Sequence, residues 1–136
     1  MKGKLKVYCN GELEGEYFNL IVESGIAQVV KLLNGATSTS FHYMAVGSSN
    51  SPPAVTQTEL VSQIAIAETT NAIGTTDYSG DTAVFTASFS FSTTNSVSEV
   101  GLFTASSGGI MLNRSVIGTV NVNSATDVTI AWQIIV

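Results

Sequence analysis

Two segments in the second half of the chain carry an apolar residue at every second position. Residues 83–91 carry Ala or Phe at every odd position, and residues 128–136 carry Val, Ile or Trp at every even position. Because neighbouring side chains point to opposite faces of a strand, each segment predicts a β-strand with one buried face. Together with the hairpin described below, they predict a core that contains Phe85, Phe89, Phe91, Leu102, Trp132 and Ile134.

The N-terminal segment has the pattern of a β-hairpin. Residues 4–9 and 14–20 are separated by Asn10-Gly11, whose residues tolerate the positive φ values that a tight turn requires. The alternation places Cys9 on the apolar face of the first strand, where a lone cysteine behaves as a small buried hydrophobe. Residues 1–20 are predicted either to pack on the domain as this hairpin or to contact a neighbouring subunit as an arm.

Residues 24–33 predict a short amphipathic helix. Ser24 is suited to cap its N-terminus, and Asn34-Gly35 supplies a C-terminal stop. Apolar residues at the i, i+3, i+4 and i+7 spacing define the face that we expect to cover one side of a sheet. These residues are Ile26, Val29, Val30 and Leu33.

The middle of the chain is less regular. Residues 41–47 predict a buried strand, which is followed by a loop that contains Ser51-Pro52-Pro53. Thr56-Gln57-Thr58-Glu59 has the spacing of a capping box and predicts a short helical turn. Residues 61–67 also fit the start of another strand, so both interpretations stay open.

Residues 98–114 predict a second hairpin, in which two apolar runs flank a Ser/Gly turn. If Phe103 faces Ile110 across the turn, Glu99 lies directly opposite Arg114, the only arginine of the chain. Directly opposed side chains are close enough to form an ion pair. We therefore expect a Glu99–Arg114 pair that fixes the strand register, which is a structural role and not a catalytic one.

These elements together predict the fold class. We expect a mainly β protein, an antiparallel β-sandwich of jelly-roll-like or immunoglobulin-like type, with one short helix near residues 24–33. The length of 136 residues fits a single domain, residues 1–136, that buries its core without disulfides or metal. Its sheet edges need protection, which a neighbouring subunit can provide.

Charge is scarce and unevenly distributed. Only 11% of the residues are charged, against about 25% in typical soluble domains. This favours an assembled state, since solvated monomers usually carry more charge. The net charge is −5 without a basic stripe, so nucleic acid is not expected as a partner. Lys2, Lys4 and Lys6 share the polar face of the first strand, either as solvated charges or as a possible interface with an acidic neighbour.

Residues capable of catalysis or metal binding are few and isolated. His42 is the only histidine, and its aromatic neighbours favour a core or interface position. Asp77 and Asp81 form the best candidate carboxylate cluster, which we interpret as a solvated turn although two carboxylates could contribute to a cation site. No nucleophile elbow, phosphate-binding loop or paired metal-ligand spacing occurs. We expect neither an enzyme nor a cofactor.

Several short motifs occur in a fixed order along the chain. The helix is preceded by Asn19-Leu20-Ile21-Val22-Glu23-Ser24-Gly25, and Tyr43-Met44-Ala45-Val46-Gly47 leads into a Ser/Pro/Ala loop. Ser98-Glu99-Val100-Gly101-Leu102-Phe103 then leads through a Ser/Gly turn to Met111-Leu112-Asn113-Arg114, before a final strand that bears Trp132. This order, which spans nearly the whole chain, resembles a family of small virion proteins of tailed bacteriophages. The chain departs from that pattern after Leu60, where relatives often carry an acidic–arginine pair.

The resemblance implies a non-enzymatic structural protein of the virion that is made in the host cytoplasm. The expected function is that of a capsid decoration or cement subunit, which binds the major capsid protein or other virion proteins and stabilises the shell. A homo-oligomer is expected, for which a trimer is one arrangement, and a membrane is not expected as a partner. The alternatives are a tail-tip, baseplate or fibre-head module that binds the host surface, and a head–tail joining component.

Overall fold

Two five-stranded antiparallel sheets pack face to face in the computed structural model, which describes all 136 residues. The elements are β1 (Lys2–Cys9), β2 (Glu12–Phe18), β3 (Leu20–Ile21), α1 (Glu23–Leu33), β4 (Tyr43–Gly47), β5 (Gln63–Glu68), β6 (Thr70–Gly74), β7 (Thr82–Ser90), β8 (Asn95–Phe103), β9 (Met111–Val122) and β10 (Asp127–Ile135). Sheet 1 has the order β2-β1-β10-β7-β6, and sheet 2 has the order β3-β9-β8-β4-β5. The predicted β-sandwich with one short helix is confirmed.

The core lies between the two sheets and is built from the alternating positions. All six residues predicted for it are buried, namely Phe85, Phe89, Phe91, Leu102, Trp132 and Ile134. Phe85 lies directly opposite Trp132 on the neighbouring strand of sheet 1, so two buried aromatic groups form a cross-strand pair. Such pairs add stability beyond the area that they bury.

The N-terminal hairpin belongs to sheet 1. β1 pairs with β2 on one side and with β10 on the other, so residues 2–18 pack on their own domain and do not extend from it as an arm. The turn uses positive φ at Asn10 and Gly11, as the sequence predicted. Cys9 is half-buried against the core.

Helix α1 ends as predicted but begins and packs differently. Gly35 follows it with a φ of 77°, which confirms the glycine stop. The predicted N-cap is wrong, because Val22 occupies the cap position and the Ser24 hydroxyl instead donates to the carbonyl oxygen of Met111 at 3.3 Å. Val22 is fully buried, so packing against sheet 2 fixes the start of the helix without a side-chain cap.

The predicted buried face of α1 is also wrong. The helix contacts β9 through Gly25, where an added Cβ would lie 2.3 Å from the carbonyl oxygen of Leu112. This close approach turns the buried Gln28 inward, and its side-chain amide donates to the carbonyl oxygen of Thr39 at 2.7 Å. Of the four apolar residues expected to face the sheet, only Val29 packs on the core. The other three, which are exposed, are Ile26, Val30 and Leu33.

Residues 48–62 form a loop that lies over the outer face of sheet 2. The helical turn predicted at residues 56–59 does not form, and the alternative strand begins at Gln63 as β5. After Glu68, a single residue separates β5 in sheet 2 from β6 in sheet 1, so residues 63–74 close one side of the sandwich. The loop is held on the sheet by the ion pair described next.

Candidate functional site

Glu99 and Arg114 form the ion pair predicted from the sequence, but in a different register. Phe103 lies opposite Met111 and not Ile110, which shifts the predicted pairing of β8 with β9 by one residue, and a bulge between Leu102 and Phe103 shifts it by one more. Glu99 therefore lies opposite Val116, and Arg114 lies opposite Gly101. The two side chains therefore meet diagonally on the outer face of sheet 2. The Arg114 Nε donates to the Glu99 Oε1 at 3.0 Å, and both side chains are fully buried.

Four donors surround the Glu99 carboxylate. Oε1 accepts from the backbone N–H of Val61 at 2.9 Å and from Arg114, while Oε2 accepts from the backbone N–H groups of Ser62 at 2.8 Å and Ser49 at 3.1 Å. Burial alone would raise the pKa of Glu99, but these donors outweigh it and lower the pKa below the usual glutamate value. The carboxylate is therefore an internal anion that organises the loop above it.

Arg114 holds the same loop at a further point. Its Nη1 donates to the carbonyl oxygen of Ser51 at 2.8 Å, whereas its Nη2 is buried and has no partner. The loop of residues 48–62 is thus attached near both of its ends to one buried pair. This also explains why the predicted helical turn does not form, since the N–H groups of Val61 and Ser62 are directed at Glu99.

Gly47 provides the space that the carboxylate occupies. It lies directly opposite Glu99 in the pairing of β4 with β8. A Cβ at this position would lie 2.6 Å from the Glu99 Oε2 and 2.5 Å from the carbonyl oxygen of Ser62. Any side chain would therefore push against both the carboxylate and the loop backbone.

A second polar cluster joins the two sheets inside the sandwich. The Trp132 Nε1 of β10 donates to the Asn19 Oδ1 at 2.7 Å, and the Asn113 Nδ2 of β9 approaches the same oxygen at 3.5 Å. The Asn113 Oδ1 in turn accepts from the backbone N–H of Leu102 at 3.1 Å. Asn19 lies in the single-residue link between β2 and β3, where the chain passes from sheet 1 to sheet 2. Asn19 and Trp132 both belong to the motifs noted in the sequence, but their spacing did not predict that the two side chains meet.

The motifs noted in the sequence converge on these contacts. Each contributes a residue that joins segments distant along the chain, either by hydrogen bonds or by close backbone approach. These residues are Asn19, Gly25, Gly47, Glu99, Arg114 and Trp132. The polar side chains among them face other parts of the same domain, and the two glycines allow close backbone packing. The motif positions therefore stabilise contacts within the sandwich.

His42 is exposed and does not lie in the core. Its Nε2 lies 2.7 Å from the Ser40 hydroxyl, and its Nδ1 lies 3.3 Å from the Nδ2 of Asn71. The same Nδ2 donates to the carbonyl oxygen of Phe41 at 3.0 Å, which fixes the amide with its nitrogen toward the ring. The hydrogen-bond partners of the ring are thus a serine hydroxyl and an asparagine amide, and neither is a carboxylate that would orient the ring as the base of an activated nucleophile.

The acidic cluster at Asp77 and Asp81 is a self-contained turn. The Asp81 carboxylate accepts the backbone N–H groups of Thr76, Asp77 and Tyr78, each at 2.8 Å, and the hydroxyl of Thr82 at 2.7 Å. The hydrogen bond from Tyr78 is the largest of the effects that lower the pKa of Asp81 far below its usual value. Both oxygens of the Asp81 carboxylate accept hydrogen bonds from these donors. No group of three potential metal ligands occurs in the structure.

Lys2, Lys4 and Lys6 lie along β1 on the outer face of sheet 1. Lys4 forms an ion pair with Glu16 of β2 at 3.2 Å, with both side chains more than one-third exposed. Lys4 and Lys6 also line a shallow cleft of about 200 Å³ beside Gln133.

A separate cleft of about 220 Å³ lies over sheet 2 and has Glu59 as its only charged residue. A single carboxylate does not assemble an acid–base pair there.

Comparisons with protein-family models, with curated proteins and with solved structures gave no match for this chain. The likeness of its motifs to those of phage virion proteins is therefore carried by the sequence alone. Helix α1 is the only helix, and no helix has the length and apolarity needed to cross a membrane.

Proposed function

We propose that this chain is a non-enzymatic structural protein of a tailed-phage particle, and that it acts as a capsid decoration subunit. The observation that supports this most is the use of the motif residues within the fold. Glu99 and Arg114 direct their hydrogen-bonding groups at the loop of residues 48–62, and Asn19 joins Trp132 across the two sheets. A rigid scaffold with exposed binding surfaces is what a decoration subunit requires.

The mechanism is binding without a chemical step. A subunit that binds the assembled shell but not its separated parts stabilises the shell by mass action, to an extent set by its affinity and concentration. The rate of dissociation of the shell then falls as occupancy rises. Such binding needs complementary surface area of ordinary interface size and no catalytic residue.

The lysine-bearing face of sheet 1 is the surface that we assign to the shell. Three of the five cations of the chain, Lys2, Lys4 and Lys6, lie there, whereas the chain as a whole has a net charge of −5. An acidic partner would be repelled by most of the protein and attracted by this face. The charge distribution therefore orients the subunit, because opposite potentials guide two surfaces into register.

Re-addition of the purified protein to particles that lack it tests this function. We expect saturable binding to the shell and a higher temperature of shell disruption. The double variant Lys2→Gln/Lys6→Gln should bind about tenfold more weakly at low salt, with a smaller difference at high salt because exposed charges are screened. Lys4 is retained because it pairs with Glu16.

Lys31→Gln is the matched control, since it removes one exposed cation from the helix and not from sheet 1. It should bind the shell as the unmodified protein does. Failure of the unmodified protein to bind such shells, together with binding to host cells, would contradict the decoration function and favour a tail module. If Lys31→Gln weakened shell binding as much as Lys2→Gln/Lys6→Gln does, the assignment of the lysine-bearing face of sheet 1 to the shell would be contradicted.

A further inference from the structure

The cleft of about 220 Å³ over sheet 2, which we name the sheet 2 cleft, lies between two loops. One wall comes from residues 58–63, where the loop of residues 48–62 leads into β5, and the other comes from residues 105–109, the turn between β8 and β9. Between them lie Phe103, which is 5% exposed, and the half-buried Ile66. The cleft therefore combines polar walls with an apolar floor.

Three alternate residues of β8 hold the first wall in place. Glu99 accepts hydrogen bonds from the backbone N–H groups of residues 61–62. Gly101 leaves room for Leu60, whose Cδ2 would lie 3.1 Å from an added Cβ. Phe103 packs with the buried Leu60 in the same apolar cluster. The outer face of β8 thus fixes this wall before any ligand binds, which lowers the cost of ordering it on binding.

The second wall is a closed turn whose hydrogen-bond donors are free. The backbone N–H of Thr104 donates to the carbonyl oxygen of Ile110 at 3.1 Å, and the N–H of Ile110 donates to the Thr104 hydroxyl at 2.9 Å. Gly108 adopts a φ of 65°, which allows the chain to reverse. The backbone N–H groups of residues 105–109 donate to no other group of the domain. The turn therefore has a fixed shape and unused donors.

The polar side chains of the cleft are also free. Five of them line it, all are exposed, and none hydrogen-bonds to another group of the domain: Thr58, Glu59, Gln63, Ser106 and Ser107. By contrast, the carboxylates of Asp81 and Glu99 each accept four hydrogen bonds within the domain. The cleft thus offers a carboxylate that only accepts, together with an amide and hydroxyls that both donate and accept.

A neutral sugar matches this set of groups. Neighbouring sugar hydroxyls can donate to the two oxygens of Glu59 and accept from the Gln63 amide and the turn, while the C–H face of the ring covers the apolar floor. The lone carboxylate repels an anion, and one carboxylate is fewer than protein sites for divalent cations use. The cleft volume of about 220 Å³ equals that of about seven water molecules in the liquid, which gives room for a single sugar ring.

From these observations we infer that the sheet 2 cleft binds one ring of a neutral hexose, with Glu59 and Gln63 as its main hydrogen-bonding side chains. The sugar is bound and not cleaved, because glycoside hydrolysis uses two carboxyl groups and the cleft has one. The few contacts of an open cleft give a dissociation constant on the order of 1 mM. This binding activity is separate from the proposed shell contact, which lies on sheet 1, and it does not depend on it.

Titration of the isotope-labelled protein with the methyl glycosides of glucose, galactose and mannose tests the inference by NMR. At up to about 50 mM glycoside, a site with a millimolar constant is nearly saturated. At least one glycoside should shift the amide signals of residues 58–63 and 105–109 saturably and leave those of residues 4–8 on sheet 1 unmoved. If no glycoside gave a saturable shift, or if the shifts occurred only outside the cleft, the inference would be overturned.

Matched variants identify the groups that bind the sugar. Glu59→Gln should raise the dissociation constant by about tenfold, because hydrogen bonds to a charged acceptor are the strong ones. Glu14→Gln is the control, since it removes an equally charged, exposed carboxylate from β2 and should leave the constant unchanged. Thermal melts should be the same for both variants, because both side chains are exposed.

Three outcomes would overturn the assignment of the ligand. Equal affinity of Glu59→Gln and Glu14→Gln would show that the carboxylate does not bind the sugar. Tighter binding of glucuronate than of methyl glucoside would mean that the cleft selects an anion. Saturable shifts of the same amide signals by calcium chloride at lower concentration than by any glycoside would mean that it selects a cation.

Discussion

Replacement of Arg114 by Met tests whether the buried ion pair holds the sandwich and its loop together. The variant leaves the Glu99 carboxylate fully buried with backbone donors but without its counter-charge. Removal of one partner of a buried pair costs about 3–5 kcal/mol, which is a large share of the total stability of a small domain. For a chain of 136 residues, this corresponds to a fall in Tm of about 10–17 °C.

The double variant Glu99→Gln/Arg114→Met separates coupling from simple loss of contacts. It contains no buried charge, and the glutamine carbonyl can still accept from Ser49 and Ser62. Its amide nitrogen then faces the N–H of Val61, which loses its acceptor at a cost of about 1–3 kcal/mol. We therefore expect the double variant to be more stable than Arg114→Met alone.

Chemical denaturation of the two single variants and the double variant gives the coupling energy. Losses that add within about 0.5 kcal/mol would refute the idea that the two side chains act as a unit. Lys4→Met is the control, because its partner Glu16 is exposed; that change should cost at most about 1 kcal/mol. Hydrogen exchange should also quicken at the N–H groups of Ser49, Val61 and Ser62 in Arg114→Met.

Three further changes have defined outcomes. The pKa of Glu99 is lowered by folding, so its contribution to stability is present above the usual glutamate range and is lost as the pH falls toward its pKa in the folded protein; Glu99→Gln should flatten the acid limb of a plot of unfolding free energy against pH. Gly25→Ala should lower the Tm strongly, since its Cβ would strike the Leu112 backbone, whereas Gly74→Ala should have a small effect because its nearest neighbour is a Val84 methyl group at 3.2 Å. Deletion of residues 133–136 removes the end of the strand between β1 and β7 and should destabilise the fold in a thermal melt; an unchanged Tm would contradict the pairing of that strand.

The strands that the sequence predicted best are those whose pattern is local. In β7 and β10, each inward position is apolar because it packs between the sheets, so a period of two was enough to find them. The sequence did not predict strand β6, because this strand is an exposed edge and its short run of residues lacks an apolar face.

The candidate site was predicted in its residues but not in its geometry. The scarcity of cations pointed to Arg114 and Glu99, whereas the bulge near Phe103 that sets their diagonal contact has no local signature. The buried face of α1 was mistaken for a similar reason. The apolar spacing suggested Ile26 as a contact, but the close approach of Gly25 to a strand about 87 residues away decides which side faces inward.

The copy number of this protein in purified phage particles tests the proposed function most directly. Quantitative mass spectrometry, with the major capsid protein as the internal standard, gives the ratio of the two chains. The decoration function predicts hundreds of copies per particle. A dozen copies or fewer, or none, would contradict it.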